Sequence, residues 1–154
     1  MKRLLLTSVL IAPTANAAVT HYTCEDMITT HGQKIRSWDA ILDADIYRGT
    51  FKRFTSKGAT LTGMKANQVA ADSFNFSPLR RQDDAPALVV YEKELGDWNY
   101  ISVHVYDKAG VSAAGDVIQV FPPPMGQGSY FCYKKGSPKD KFMSQLRESH
   151  NSRS

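Results

Sequence analysis

The sequence has only two cysteines, no internal repeat, little imbalance of charge, and no long apolar run beyond its first residues. Each shortage narrows the reading. A charged fraction of 22% with apolar residues spread over 154 positions excludes wholesale disorder, a collagen-like repeat and a coiled coil, and leaves one ordinary globular domain with a modest core. No G-x-S-x-G, H-E-x-x-H, glycine-rich phosphate loop or activated cysteine is present, so nothing in the sequence argues positively for catalysis. No segment after residue 17 has the roughly 20 apolar residues that cross a bilayer, so no transmembrane segment is expected in the mature chain.

The opening 17 residues carry an address. Lys2 and Arg3 precede an apolar run over residues 4–12, and Ala15-Asn16-Ala17 forms an A-x-A cleavage pattern, which together read as a cleavable signal peptide. Ala18, not a cysteine, stands at the cleavage point, which argues against lipid attachment. The expected location is periplasmic or secreted. Without residues 1–17 the chain has 17 basic and 15 acidic side chains, and six of the basic ones lie from Lys134 onward with two acidic residues. A faintly acidic body with a short basic tail lacks the basic face of a nucleic-acid binder, so no nucleic acid is expected as partner.

Cys24 and Cys132 lie near the two ends of the mature body, and an exported chain meets an oxidising compartment, so one disulfide is expected between the first and last strands. A zinc site built on His21, Cys24 and Cys132 lacks a second close ligand pair. Asp39, Asp43 and Asp45 hint at a calcium loop. Tyr47 and Arg48 occupy positions where that loop needs a ligand and a glycine, and the match fails. No metal or cofactor is expected.

Short β-prone runs separated by turn residues predict a mainly β, β-rich α+β fold: a small antiparallel barrel or sandwich with one or two short helices. Residues 45–55 and 59–62 flank Ser56-Lys57-Gly58 as a hairpin, residues 69–76 offer a further strand, and residues 77–86, with two prolines and four charges, form a loop. Residues 87–94, 98–106 and 117–121 read as a meander. Residues 129–133 are the last strand. One helix is expected over residues 37–44, with Ser37 as its cap and Trp38, Ile41 and Leu42 on one side. A second follows the capping sequence Ser137-Pro138-Lys139-Asp140, with Phe142, Met143 and Leu146 as a stripe that would dock on the body, and disorder is expected beyond His150. The expected organisation is thus a signal peptide at 1–17, one domain at 18–135 and a basic tail at 136–154.

For function, the strand over residues 98–106 alternates Ile101, Val103 and Val105 with Trp98, Tyr100, Ser102, His104 and Tyr106. The aliphatic set belongs to the core. The other face is a ribbon of rings with polar edges, suited to a protein or saccharide ligand unless a second layer covers it. Pro122-Pro123-Pro124 and Met125-Gly126-Gln127-Gly128 form a loop beside it, adding Pro123 and Met125 to the candidate contacts. Ser102, His104 and Asp107 are close in sequence, but Asp107 has the opposite strand parity, which disfavours a relay of all three. Asn75-Phe76-Ser77 fits a glycosylation acceptor, which matters only in a eukaryotic secretory route. The leading expectation is an exported, non-enzymatic binding module, an inhibitor or accessory factor in type. The alternatives are a structural or assembly subunit of a cell-envelope complex and, third, a small secreted hydrolase.

Overall fold

The computed structural model describes residues 18–26, 32–67, 87–97, 99–106, 115–122 and 128–153. The signal segment, the candidate strand over 69–76, the loop over 77–86 and residues 107–114 of the expected meander lie outside the described residues.

Nine strands form one antiparallel sheet among these residues. They are β1 (Ala18–Asp26), β2 (Ser37–Asp45), β3 (Thr50–Ser56), β4 (Ala59–Leu61), β5 (Lys65–Asn67), β6 (Ala87–Gly96), β7 (Asn99–Tyr106), β8 (Val117–Phe121) and β9 (Tyr130–Lys134), in the order β4-β3-β2-β1-β9-β8-β7-β6-β5. Helix α1 (Pro138–Arg153) follows. Strands β4 and β5 occupy opposite edges, yet only residues 62–64 join them. Four Cα steps reach at most about 14 Å, so the two edges must approach and the sheet must curl into a half-barrel. Contact between β3 and β5 and two hydrogen bonds from the Tyr91 hydroxyl, to the carbonyls of Asp45 and Thr50, record that approach.

Alternation decides which side chains turn inward. Tyr22 pairs with Ala40, Leu42 with Phe54, Tyr91 with Val103, Val105 with Ile118, and Ile118 with Cys132, and all of these are buried. Cys24 and Cys132 face each other across β1 and β9 and form the disulfide, closing a loop with a separation of 108 residues. In the chain-entropy description, a loop of that size stabilises the fold by up to about 4–5 kcal/mol.

Three expectations are corrected. Residues 37–44 are not helical; they belong to β2. Trp38, Ala40, Leu42 and Ala44 share the inner face, while Asp43 on the other is buried beside Lys52 and Arg53. Pairing with β1 on one side and β3 on the other satisfies the backbone of β2 and overrides weak local propensity. The chain is also ordered beyond His150, because α1 continues to Arg153. The Asn151 side chain bonds both backbone groups of Ile35, at 2.8 and 3.1 Å, and fixes the last turn. Finally, of the expected docking stripe only Met143 is half-buried, on the side of α1 that carries Arg147. Arg147 meets Glu25 at 2.8 Å with both side chains largely buried, whereas Phe142 and Leu146 are exposed. The expected cap does form: Ser137 Oγ accepts from the Asp140 amide and the Asp140 carboxylate accepts from the Gly136 amide.

Candidate functional site

Strand β7 divides its faces as alternation requires. Ile101, Val103 and Val105 are buried, Tyr100 is exposed, and His104 and Tyr106 are half-buried. Trp98, Pro123 and Met125 lie outside the described residues. The structure therefore brings Tyr100, His104 and Tyr106 together on one face, and it engages the last two with neighbours. Tyr106 donates to Gln119, Gln119 donates to Ser129 at 2.8 Å, and the His104 ring packs 4.7 Å from that of Phe121. Burial lowers the His104 pKa and favours the neutral ring. His104 Nε2 lies 3.1 Å from Ser102 Oγ, on the same face. Asp107 is outside the described residues, and no carboxylate bonds His104 among those described.

The two cysteines are spent on the disulfide, and among the described residues no cluster of three His, Cys, Asp or Glu side chains forms. His21 has opposite parity to Cys24 on β1, which separates the members of the H-x-x-C pattern.

A larger feature lies at one end of the half-barrel, where β1, β3, β6 and β8 finish and β4, β7 and β9 begin. A cavity of about 530 Å³ opens there. Phe54, Ile101 and Val120, all buried, form its floor, with Leu61 at the side. The rim is mixed: Asp26, Ser56, Lys57, Lys93, Ser129 and Tyr130 border it with Pro122 and Gly128. Pro123 and Met125 thus fall in the segment between two lining residues.

Local chemistry explains the rim. Ser56 pairs with Ala59, so the β3–β4 hairpin turns on Lys57 and Gly58 alone, with φ of 51° and 74°. Two positive φ values are what a tight primed turn needs, and glycine adopts one freely, whereas an L-residue such as lysine is strained by roughly 1–2 kcal/mol. Contacts of the Lys57 ammonium offset this: it sits 3.7 Å from the Trp38 ring centroid and 3.6 Å from Asp26 Oδ1. Ser56 Oγ accepts from Trp38 Nε1 at 2.9 Å and from the Tyr130 hydroxyl at 3.1 Å, and the two rings meet edge to face at 5.0 Å. Burial raises the Tyr130 pKa, which keeps its phenol a donor. On the other side, Lys93 Nζ donates to the Thr62 carbonyl at 3.0 Å.

At the opposite end, among the described residues, two tyrosines reach backbone carbonyls. The Tyr22 hydroxyl donates to the Gly115 carbonyl at 2.7 Å, and the Tyr91 hydroxyl bridges to Asp45 and Thr50 with its ring against Phe51. Gly115 has φ of 80°, which favours glycine, and a Cβ there would also come within 2.9 Å of Ile46 Cδ1.

The chain matches no family model, no curated protein and no solved structure. Sequence reasoning missed the cleft because its walls come from strands far apart in the chain. Its one local signal was Ser56-Lys57-Gly58, a turn with lysine where asparagine, aspartate or glycine is the usual choice.

Proposed function

We propose that this chain is an exported binding module that takes a small, largely apolar molecule into the open end of its half-barrel. The observation that carries this reading is the cavity of about 530 Å³, with an apolar floor and a few polar groups on the rim. Its size and lining resemble small-molecule pockets, which commonly enclose about 300–1,000 Å³. The signal-like segment at 1–17 and the Cys24–Cys132 disulfide support a periplasmic or secreted location, and no helix among the described residues is long and apolar enough to cross a membrane. The face bearing Tyr100, His104 and Tyr106 is a second surface for a protein or saccharide, with Tyr100 its most exposed ring.

The test fills the cavity. Leu61→Trp adds bulk at a half-buried wall position, and it is expected to lower binding of an environment-sensitive apolar dye at least tenfold while the far-UV spectrum and unfolding midpoint stay close to wild type. Undiminished dye binding in the folded variant places the ligand elsewhere.

A second reading rests on α1, where Phe142 and Leu146 lie one turn apart and exposed. In an envelope assembly subunit this pair is the contact, and serine at both positions would release the chain from its complex without altering the barrel.

A further inference from the structure

We infer that the molecule taken by the cleft is an amphiphilic anion, its alkyl chain against Phe54, Ile101 and Val120 and its charged head at the ammonium of Lys93. This rests on the cleft being the binding site and names what enters it.

The two lysines at the rim have different partners. Lys57 is already matched, by the Asp26 carboxylate at 3.6 Å and the Trp38 ring at 3.7 Å. Lys93 meets the neutral carbonyl of Thr62 and, among the described residues, no carboxylate. An ammonium carries three N–H donors, and the carbonyl accounts for one of them. Among the described residues, the charged groups lining the cavity are Lys57, Lys93 and Asp26, which leaves one positive charge in excess. The segment over 123–127, between the lining residues Pro122 and Gly128, contains no charged side chain. A single anionic head therefore neutralises the mouth.

Below the rim the chemistry changes at once to apolar surface, since Phe54, Ile101 and Val120 offer no polar side-chain atom. A hydrophilic anion would leave this floor bare. An uncharged lipid would leave Lys93 without a counter-charge. An alkyl chain with a carboxylate or similar head satisfies both, because each buried methylene raises affinity roughly fourfold and a charge-assisted hydrogen bond adds a factor of about ten or more.

The experiment is calorimetric titration of the exported, disulfide-bonded protein with three ligands of one chain length: dodecanoate, dodecanol and dodecyltrimethylammonium, the ions kept below their micelle concentrations and the alcohol below its solubility limit. Dodecanoate is expected to bind at least about tenfold tighter than dodecanol, with the cation weakest, and the advantage should shrink as salt is raised. In Lys93→Met, which keeps the length and apolar bulk of the stem, dodecanoate and dodecanol should bind alike. Equal affinity of all three for the wild-type protein overturns the anionic assignment and leaves the cleft as an apolar site. A preference for dodecanoate that survives in folded Lys93→Met overturns the role of Lys93. If none of the three binds, the reading of the cleft as the binding site fails as well. The salt series needs no variant, so the charge assignment is tested even if Lys93→Met does not fold.

Discussion

The two ends of the half-barrel are built from the same strands and finish in opposite ways. At the end where β1 starts, the long side chains of Tyr22 and Tyr91 cross the interior and deliver their hydroxyls to the backbone carbonyls of Gly115, Asp45 and Thr50. Among the described residues these side chains occupy the interior, and no buried side-chain polar atom lacks a partner. At the end where β1 finishes, the polar contacts run around the rim instead: Trp38 and Tyr130 both donate to Ser56, Lys57 turns to Asp26, and Lys93 turns to Thr62. Among the described residues nothing there spans the middle, and a cavity lies between them. The difference teaches that a small barrel is closed by side chains long enough to reach across it and able to find acceptors on arrival, whereas partners confined to the circumference leave it open.

The comparison breaks most sharply if the filled end is emptied. Tyr91→Ala removes a fully buried ring and the one hydroxyl proton shared between the Asp45 and Thr50 carbonyls, and should cost about 3–5 kcal/mol in urea unfolding. A cost below about 1 kcal/mol would show that the ring is not what holds this end.

A second effect is alkaline. Desolvation raises the Tyr91 pKa to about 12 from its ordinary 10.0, and burial also raises that of Tyr22. The folded state thus holds a proton that the unfolded chain releases. This stabilisation is complete below pH 10 and is lost as pH climbs from about 10 towards 12. Unfolding midpoints measured between pH 8 and 12 should fall across that window, and fall less in Tyr91→Phe.

A smaller change separates packing from hydrogen bonding. Tyr22→Phe keeps the ring and leaves the Gly115 carbonyl unpaired, for an expected loss of about 1–2 kcal/mol and no change in dye binding at the far end. The smallest effect belongs to the open rim. Lys57→Asn relieves strain at the turn and forfeits the contacts with Trp38 and Asp26, so stability should move by no more than about 1 kcal/mol in either direction. A large loss there would mean that the rim is structural in the same sense as the filled end.

Legibility followed the range of the interactions. The meander of β6, β7 and β8 could be read because Ile101, Val103 and Val105 alternate with polar residues in β7, β-branched residues recur in β6 and β8, and Gly96 and Asp97 mark its first turn. The cap of α1 could be read because its partners are neighbours: Ser137 Oγ accepts from the Asp140 amide, and the Asp140 carboxylate accepts from the Gly136 amide. Strand β2 could not, since Ala, Asp and Ser are poor strand formers and Trp38, Ile41 and Leu42 also fit one side of a helix. The last turn of α1 was hidden for another reason. What secures it is Ile35, 116 residues away in sequence.

Of the candidate site, the sequence foretold the division of β7 into an aliphatic face and a ring-bearing face, and it marked Lys57-Gly58 as a turn. Whether His104 and Tyr106 are free or engaged depended on Phe121 and Gln119, which β8 brings alongside. The cleft itself was beyond a linear reading, because Phe54, Ile101 and Val120 become one floor only when three strands meet.

By itself, then, the sequence determined the β class through period-two alternation, the single disulfide through having only two cysteines, and the capped terminal helix through local hydrogen-bonding chemistry. Tertiary structure decided the strand state of residues 37–44, the closure of one barrel end and the opening of the other. Those outcomes depend on which distant side chains are long enough to meet across a curled sheet, and that distance is set by strand order and curvature, not by any neighbour in the chain.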